Sequence, residues 1–153
     1  MSDDIITAET EASLGVLEGL VGYHIRRASS AFAIDFSRAI GGTGMRQVLF
    51  GILSVVGANP GINQGGAGRA LGIQRANMVS LMNELVDAGL LDRRTATEDR
   101  RAFALNLSPA GEAMLADCLD RIEVHESEML ADFTAAERRT LIALLTRIEA
   151  RER

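Results

Sequence analysis

Side chains suited to nucleic-acid binding are concentrated between residues 69 and 107 of the 153-residue chain. Arg93-Arg94 and Arg100-Arg101 stand on either side of a short polar loop. A guanidinium group donates two parallel hydrogen bonds, which matches phosphate oxygens and the edge of guanine. All 16 basic residues are arginine, although a GC-rich genome would explain that usage equally well. The arginine pairs therefore predict contacts with a nucleic acid.

The segment 74–88, which precedes these arginines, has the periodicity of an amphipathic helix. Its apolar residues recur at intervals of three and four: Met78, Leu81, Met82 and Leu85. Glu84 and Asp87 lie on the opposite, polar arc, so we expect the helix to enter a DNA groove by its N-terminal half. The residues at that tip or on the first turns of the arc are the candidates for base contacts in the major groove: Gln74, Arg75, Asn77 and Ser80. The alternative is that these four are merely solvated.

A two-stranded hairpin follows this helix. Gly89 ends the helix, and Leu90-Leu91 lead into the first strand. In the return strand, residues 102–107, large apolar residues alternate with smaller or polar ones, as expected of a strand with one buried face: Phe103, Leu105 and Leu107. A helix with a polar tip beside an arginine-flanked hairpin is typical of a winged helix-turn-helix, which presents one element to each DNA groove.

This stretch resembles the MarR-type regulators. The resemblance is carried by four motifs: Leu71-Gly72-Ile73, Leu85-x-x-x-Gly89-Leu90, Asp99-Arg100-Arg101 and Leu105-x-Leu107-Ser108-x-x-Gly111. It covers residues 45–115 closely and the flanking helices only by length and pattern. It implies that the Asp99 carboxylate braces the wing loop and that Arg101 enters the minor groove, where arginine suits the negative potential. Phosphate contacts are then expected from the remaining arginines of the hairpin: Arg93, Arg94 and Arg100.

Helices are predicted on both sides of this region. A long helix is expected from about Thr10 to Ala39, a mostly buried one over 45–58, and a short or frayed one over 62–71, where three glycines weaken it. Ser108-Pro109 begin a helix that continues to about Asp132, and the last helix has a capping box at Thr134 and Glu137. That helix is expected to bury one apolar stripe: Leu141, Leu144, Leu145 and Ile148.

The predicted fold is mainly α with a small two-stranded β-wing. We expect a single domain over 1–153, in which dimerisation helices at 1–40 and 109–153 flank a winged helix-turn-helix at 45–108. The terminal helices carry more apolar surface than one small winged helix can cover, and the resemblance implies that two copies pair through them. Two DNA-binding heads would then face a palindromic operator about one helical turn apart.

The resemblance also implies a small-molecule pocket between the dimerisation helices and the DNA-binding region. The candidates come from two facing helices: Tyr23, His24, Arg26, Arg27, Arg46 and Phe50. Tyr23 and Arg27 are one turn apart, which suits an aromatic carboxylate or an acyl thioester that carries phosphates. The alternatives are that His24 is a packed histidine and that the arginines are solvated or paired with acids.

The net charge of −5 is unevenly distributed. Residues 61–108 hold 6 arginines and 5 acids, whereas residues 1–60 and 109–153 are net acidic. A locally basic face on an acidic body is compatible with DNA binding, because affinity depends on the phosphates neutralised locally. With no run of 18 apolar residues and no basic-then-apolar leader, we expect a cytoplasmic protein.

The sequence lacks the motifs of a catalytic or cofactor site, so we expect no enzymatic activity and no cofactor. There is no H-E-x-x-H, no G-x-S-x-G and no phosphate-binding loop. Cys118 and His125 are about 10 Å apart along one helix face, too far to share a metal ion, and core packing is their expected role. The predicted function is a ligand-responsive transcriptional repressor. The alternatives are a protein-interaction module and a regulator that senses redox state through Cys118.

Overall fold

The structure is a computed structural model that describes residues 12–95 and 103–152. The helices and strands follow in this order: α1 (Val21–Ala39), α2 (Gln47–Ala58), α3 (Gln64–Leu71), α4 (Arg75–Asp87), β1 (Leu91–Thr95), β2 (Phe103–Leu107), α5 (Pro109–Met129) and α6 (Ala135–Glu149). Short 3₁₀ helices cover Gly15–Gly19 and Ala150–Glu152. The predicted fold class, mainly α with a two-stranded wing, is confirmed. None of the described helices is long and apolar enough to cross a membrane.

The chain divides into two compact units, Met1–Ile34 and Asp35–Arg153. In the first unit the 3₁₀ helix and an extended Leu20 precede α1, so the prediction of one long helix from about Thr10 is wrong over residues 12–20. Residues 10 and 11 lie outside the described residues. Glycines at 15, 19 and 22 weaken the α-helix there. The single-domain organisation stays a prediction.

The core of the second unit lies between α2, α4 and the wing. Its largest fully buried side chains come from these elements: Leu49, Ile52, Leu53, Val56, Met78, Met82, Leu85 and Leu105. Four of the twelve residues of α2 are buried and all four are apolar, so the prediction that α2 is mostly buried is confirmed only for one side of the helix. The apolar stripe of α4 also faces the core as predicted, which fixes its polar arc on the outside.

The α3 helix is better formed than its composition suggested. The Asn63 side chain caps it by accepting a hydrogen bond of 2.8 Å from the Gly66 N–H, and the helix is regular from Gln64 onward. A Cβ on Gly68 would lie 3.0 Å from Cγ of Met78 and 3.2 Å from the Ile73 carbonyl oxygen. The absence of a side chain at this position lets α3 cross close to α4. Packing therefore offsets the low helix propensity, and the helix is short, with eight residues, as predicted.

The wing is an antiparallel pair in which Leu91 faces Leu107 and Arg93 faces Leu105. Ile62 adds one further bridge to Leu105, whose side chain is buried. Phe103 is 45% exposed, so the prediction that it shares the buried face with Leu105 is wrong. Phe103 pairs with Thr95, the last residue of β1, beyond the core. Its ring packs against the guanidinium of Arg93 rather than against the core.

The start of α5 is bound tightly to the end of α4. Ser108 caps α5 by accepting from the Gly111 N–H, and its hydroxyl donates to the Gly89 carbonyl oxygen at 2.6 Å. The Ser108 N–H donates to the Leu90 carbonyl oxygen at 3.1 Å. This network gives a physical reason for the Leu-x-Leu-Ser-x-x-Gly motif, because its serine and glycine join the wing, α4 and α5.

The last helix begins as predicted, with a capping box between Thr134 and Glu137. Hydrogen bonds from the backbone and side chain of Thr134 lower the pKa of the Glu137 carboxyl. The helix before α6, α5, ends at Met129, three residues earlier than predicted. No residue of α6 is buried, so the prediction that its apolar stripe is buried is wrong for a single chain. Its large apolar side chains are between 36% and 61% exposed: Leu141, Ile142, Leu144, Leu145 and Ile148.

Candidate nucleic-acid interface

The N-terminal half of α4 presents a polar, solvent-exposed face. All four predicted base-contacting residues are exposed: Gln74, Arg75, Asn77 and Ser80. Gln74 is the N-cap, yet its side chain makes no capping hydrogen bond, so its amide is available to a partner. Val79 is also exposed and stands one turn after Arg75. An apolar side chain beside polar ones suits the methyl group of thymine. Val79 is therefore a further candidate for a base contact, which its apolar character did not predict.

A cavity of about 540 Å³ adjoins this face, between α3, the start of α4 and the wing. Three arginines line it, Arg69, Arg75 and Arg93, together with Asn63 and other residues of α3. Its lining within residues 12–95 and 103–152 includes these three cations and no acidic side chain, which favours a phosphate group. Asn63 and Arg69 were not predicted from sequence, because the crossing of α3 and α4 brings them beside Arg75.

The two arginines of β1 differ in their surroundings. Arg94 is exposed, as expected for a phosphate contact. Arg93 is half-buried, and its Nη2 donates to the Asn83 side-chain oxygen at 3.0 Å. Its guanidinium carbon also lies 5.3 Å from the centre of the Phe103 ring. Arg93 is thus engaged within the protein, whereas Asp99, Arg100 and Arg101 lie outside the described residues.

The two predicted effector residues of the second unit are engaged in separate contacts. Arg46, the N-cap of α2, forms a salt bridge with Glu84 on the exposed arc of α4. The Phe50 ring packs edge-on against Phe36 at 6.0 Å, in a cluster around the buried Cys118. Glu84, one of the two acids on the polar arc of α4, therefore has a cationic partner that lies 38 residues away in sequence.

The other effector candidates lie in the first unit and form one local cluster. Arg27 donates to the Tyr23 hydroxyl at 3.3 Å, as their spacing of one turn predicted. The guanidinium of Arg26 lies 5.8 Å from the Tyr23 ring. His24 is exposed, and its Nε2 is 2.9 Å from the Glu18 carbonyl oxygen, so it is not packed in an apolar seam. An aromatic ring with two adjacent cations could bind an aromatic or phosphorylated anion.

The buried thiol of Cys118 is poorly suited to redox sensing. Its sulfur is 3.8 Å from that of Met114, and burial raises the pKa of the thiol, with the nearby Asp117 adding to that effect. A raised thiol pKa leaves less reactive thiolate at neutral pH. His125 Nδ1 lies 2.5 Å from Asp35 Oδ2, within ion-pair distance. Within 12–95 and 103–152, no three His, Cys, Asp or Glu residues are grouped to hold a metal ion.

Comparison with known proteins assigns the family. The sequence profile of the MarR family matches residues 44–102, which include α2, α3, α4 and β1. A protein of Thauera aromatica, described as a transcriptional regulatory protein for the hcr operon, is 35% identical over 135 residues. That alignment covers 88% of this chain and 81% of the relative. The chain belongs to the MarR family. MarR-family proteins are DNA-binding transcriptional regulators rather than enzymes.

Solved structures of MarR-family proteins extend the likeness to the whole fold. The transcriptional repressor CouR bound to a 23-mer DNA duplex is 30% identical, with a TM-score of 0.87 over 92% of this chain and 99% of CouR. CouR bound to p-coumaroyl-CoA is 28% identical, with a TM-score of 0.79 over 91% of this chain and 98% of CouR.

Proposed function

We propose that this MarR-family protein is a ligand-responsive repressor that binds a palindromic operator as a homodimer. The observation that carries the proposal is the exposed polar tip of α4 beside a cavity lined by three arginines. Polar side chains at a helix tip suit base edges in the major groove, and Arg69, which lines the cavity beside Arg75, suits an adjacent phosphate. The similarity to a repressor solved on a DNA duplex supports the same use of this surface.

The contacts divide between base recognition and backbone positioning. We assign base contacts to the exposed tip of α4: Gln74, Arg75, Asn77 and Ser80. The wing is assigned to the minor groove, with Arg101 inserted and Asp99 bracing the loop, as the family resemblance implies. Arg94 and Arg100 would contact phosphates. Asp87, farther along the same arc, keeps the C-terminal half of α4 away from the backbone.

Replacement of Arg75 tests the base-recognition role. We expect Arg75→Ala to cost about 1–3 kcal/mol on the operator and to relax the preference for it over scrambled DNA, because a base contact carries sequence information. Fluorescence anisotropy with both duplexes would measure the two affinities. Arg69→Ala is the matched control, since Arg69 lines the same cavity and should weaken both duplexes alike. An equal loss on both duplexes with Arg75→Ala would make Arg75 a phosphate contact.

Dimerisation is supported by the apolar surface that α6 leaves uncovered. Its five large apolar side chains are exposed, and Phe133 just before the helix is exposed as well. A contiguous apolar patch of this kind marks an interaction site. A second copy of the same helix is the proposed occupant, since a symmetric pair presents two α4 helices to two operator half-sites.

The effector is proposed to be an aromatic carboxylate or an acyl thioester that carries phosphates. CouR was solved with p-coumaroyl-CoA, which has this chemistry, and the Tyr23, Arg26 and Arg27 cluster offers a ring with two cations. Such a ligand releases the operator only if it binds the DNA-free form more tightly than the DNA-bound form.

Release of a preformed complex tests the effector assignment. Aromatic acids and their thioesters would be titrated against the protein bound to labelled operator. We expect Arg27→Ala to raise the ligand concentration at half-release about tenfold, and Arg38→Ala, at an exposed position near the end of α1, to leave it unchanged. A ligand that releases the wild type and both variants at the same concentration would place the effector site elsewhere.

A further inference from the structure

We infer that Arg46 and Arg93 are positioning residues that fix the orientation of α4 for DNA recognition, an inference that rests on the proposed function. Two consecutive residues of α4 are each bound by an arginine from another element. Arg93 of β1 donates to Asn83, and Arg46 at the start of α2 pairs with Glu84. The partners are 10 and 38 residues apart in sequence. Three elements therefore meet at one turn of the recognition helix.

The two contacts hold two different sides of the helix. Successive residues of an α-helix project about 100° apart, so Asn83 points toward the wing and Glu84 toward α2. On its inner side α4 is held by apolar packing through Met78, Met82 and Leu85. Apolar packing is non-directional, whereas hydrogen bonds have preferred angles. The two arginines therefore oppose rotation of α4 about its own axis, which would turn its tip away from the bases.

The guanidinium of Arg93 is itself fixed from two sides. Its Nη2 donates to Asn83, and the Phe103 ring lies 5.3 Å from its central carbon. Phe103 is on β2, so the contact involves both strands of the wing. The exposed position of Phe103, unexpected for a strand residue of this size, follows from its contact with Arg93. Arg94, the next residue, differs from Arg93 in having an exposed side chain, which suits a phosphate contact.

Arg46 has a second effect, because its partner is an acid on the DNA-facing helix. Glu84 lies on the exposed arc of α4, and an unpaired carboxylate there would repel phosphates. The salt bridge neutralises that charge while both side chains stay about half exposed. Arg46 thus favours DNA binding through Glu84 without touching DNA.

A double-mutant cycle separates this role from a direct contact. The probe is an operator duplex that the wild type selects from a random-sequence pool, and affinity is measured by anisotropy over a range of salt concentrations. We expect Arg46→Ala to weaken binding about tenfold, and Arg46→Ala with Glu84→Gln to recover most of that loss. An equal loss from Arg46→Ala in both the wild-type and Glu84→Gln backgrounds would mean that Arg46 binds DNA directly, which would overturn the inference.

The second cycle combines Arg93→Ala with Asn83→Ala. We expect each change to weaken operator binding several-fold. The double variant should bind the operator no more weakly than the single variant of lower affinity, because both substitutions remove the same hydrogen bond. The salt dependence of operator binding by these variants should equal that of the wild type. A lost phosphate contact would instead lower the slope of log affinity against log salt by about 0.9, which is the result expected for the control Arg94→Ala. Additive losses or a lowered slope with Arg93→Ala would overturn the inference.

Failure of the proposed function can be distinguished from failure of the positioning role. If the wild type selects no duplex from the pool, the proposed function fails before either cycle begins. If the wild type selects an operator and the cycles are additive, only the positioning role fails. Urea denaturation of every variant adds a readout for folding: a general loss of stability would weaken operator and scrambled DNA together, whereas misorientation of α4 should mainly lower the preference for the operator.

Discussion

Gly111→Ala should lower the free energy of unfolding by about 3 kcal/mol or more, toward the upper end of overpacking effects. A Cβ at this position would lie 2.0 Å from the Leu90 carbonyl oxygen and 3.0 Å from its carbon. Both are backbone atoms, which cannot rotate away as the end of a side chain could. Movement of α5 to relieve the overlap would break the hydrogen bonds from Ser108 to Gly89 and Leu90.

Urea denaturation followed by circular dichroism would measure this loss. Gly65→Ala on α3 is the matched control, because a Cβ there meets only Arg69 Nη1 at 3.4 Å and Asn63 Oδ1 at 3.5 Å. Alanine in a helix is favoured over glycine by about 0.5–1 kcal/mol, so the control should be neutral or slightly stabilised. An unchanged urea midpoint for Gly111→Ala would contradict the close contact between α5 and Leu90.

Replacement of Leu141 and Leu145 together by glutamate should convert the protein to monomers and abolish operator binding at nanomolar concentrations. Each leucine buried in an interface contributes about 1.5–3 kcal/mol to the free energy of association. In a two-fold symmetric dimer every substitution is present in both copies. Four buried carboxylates would add a desolvation penalty. A monomer has one α4 helix for two half-sites, so it also loses the avidity of the pair.

Sedimentation at micromolar protein would measure the assembly. The wild type should have twice the chain mass of 16.4 kDa and the double variant only that mass. Val79→Glu is the control, because Val79 is equally apolar and exposed but lies on the DNA-facing side of α4. It should remain a dimer while losing operator affinity. A wild type that sediments as a monomer would rule out the dimer and the palindromic operator with it.

The parts of the fold with clear periodicity could be predicted from sequence. The apolar stripe at Met78, Met82 and Leu85 fixed the buried side of α4, and therefore its exposed arc as well. The capping box at Thr134 and Glu137 fixed the start of α6. Local hydrogen-bond chemistry and side-chain spacing were sufficient in these cases, because the interacting residues are within one or two turns of each other.

Contacts between distant elements could not be predicted in the same way. Arg46 was assigned to the effector site and Glu84 to the polar arc of α4, whereas they form a salt bridge across 38 residues. Arg93 was assigned to a phosphate, yet it bonds to Asn83. These pairs depend on how α2, α4 and the wing cross, which periodicity does not encode. The glycines of α3 were misleading for the same reason, since Gly68 is required by a helix crossing.

Selection of duplexes from a random-sequence pool tests the central claim, that a pair of these chains recognises DNA through two α4 helices. The selected sequences should converge on a two-fold symmetric motif whose half-sites are centred about one helical turn, roughly 10 base pairs, apart. Their affinity should fall steeply as salt rises, as expected when arginines neutralise phosphates. A pool without enrichment, or one that converges on a single asymmetric half-site, would contradict the claim.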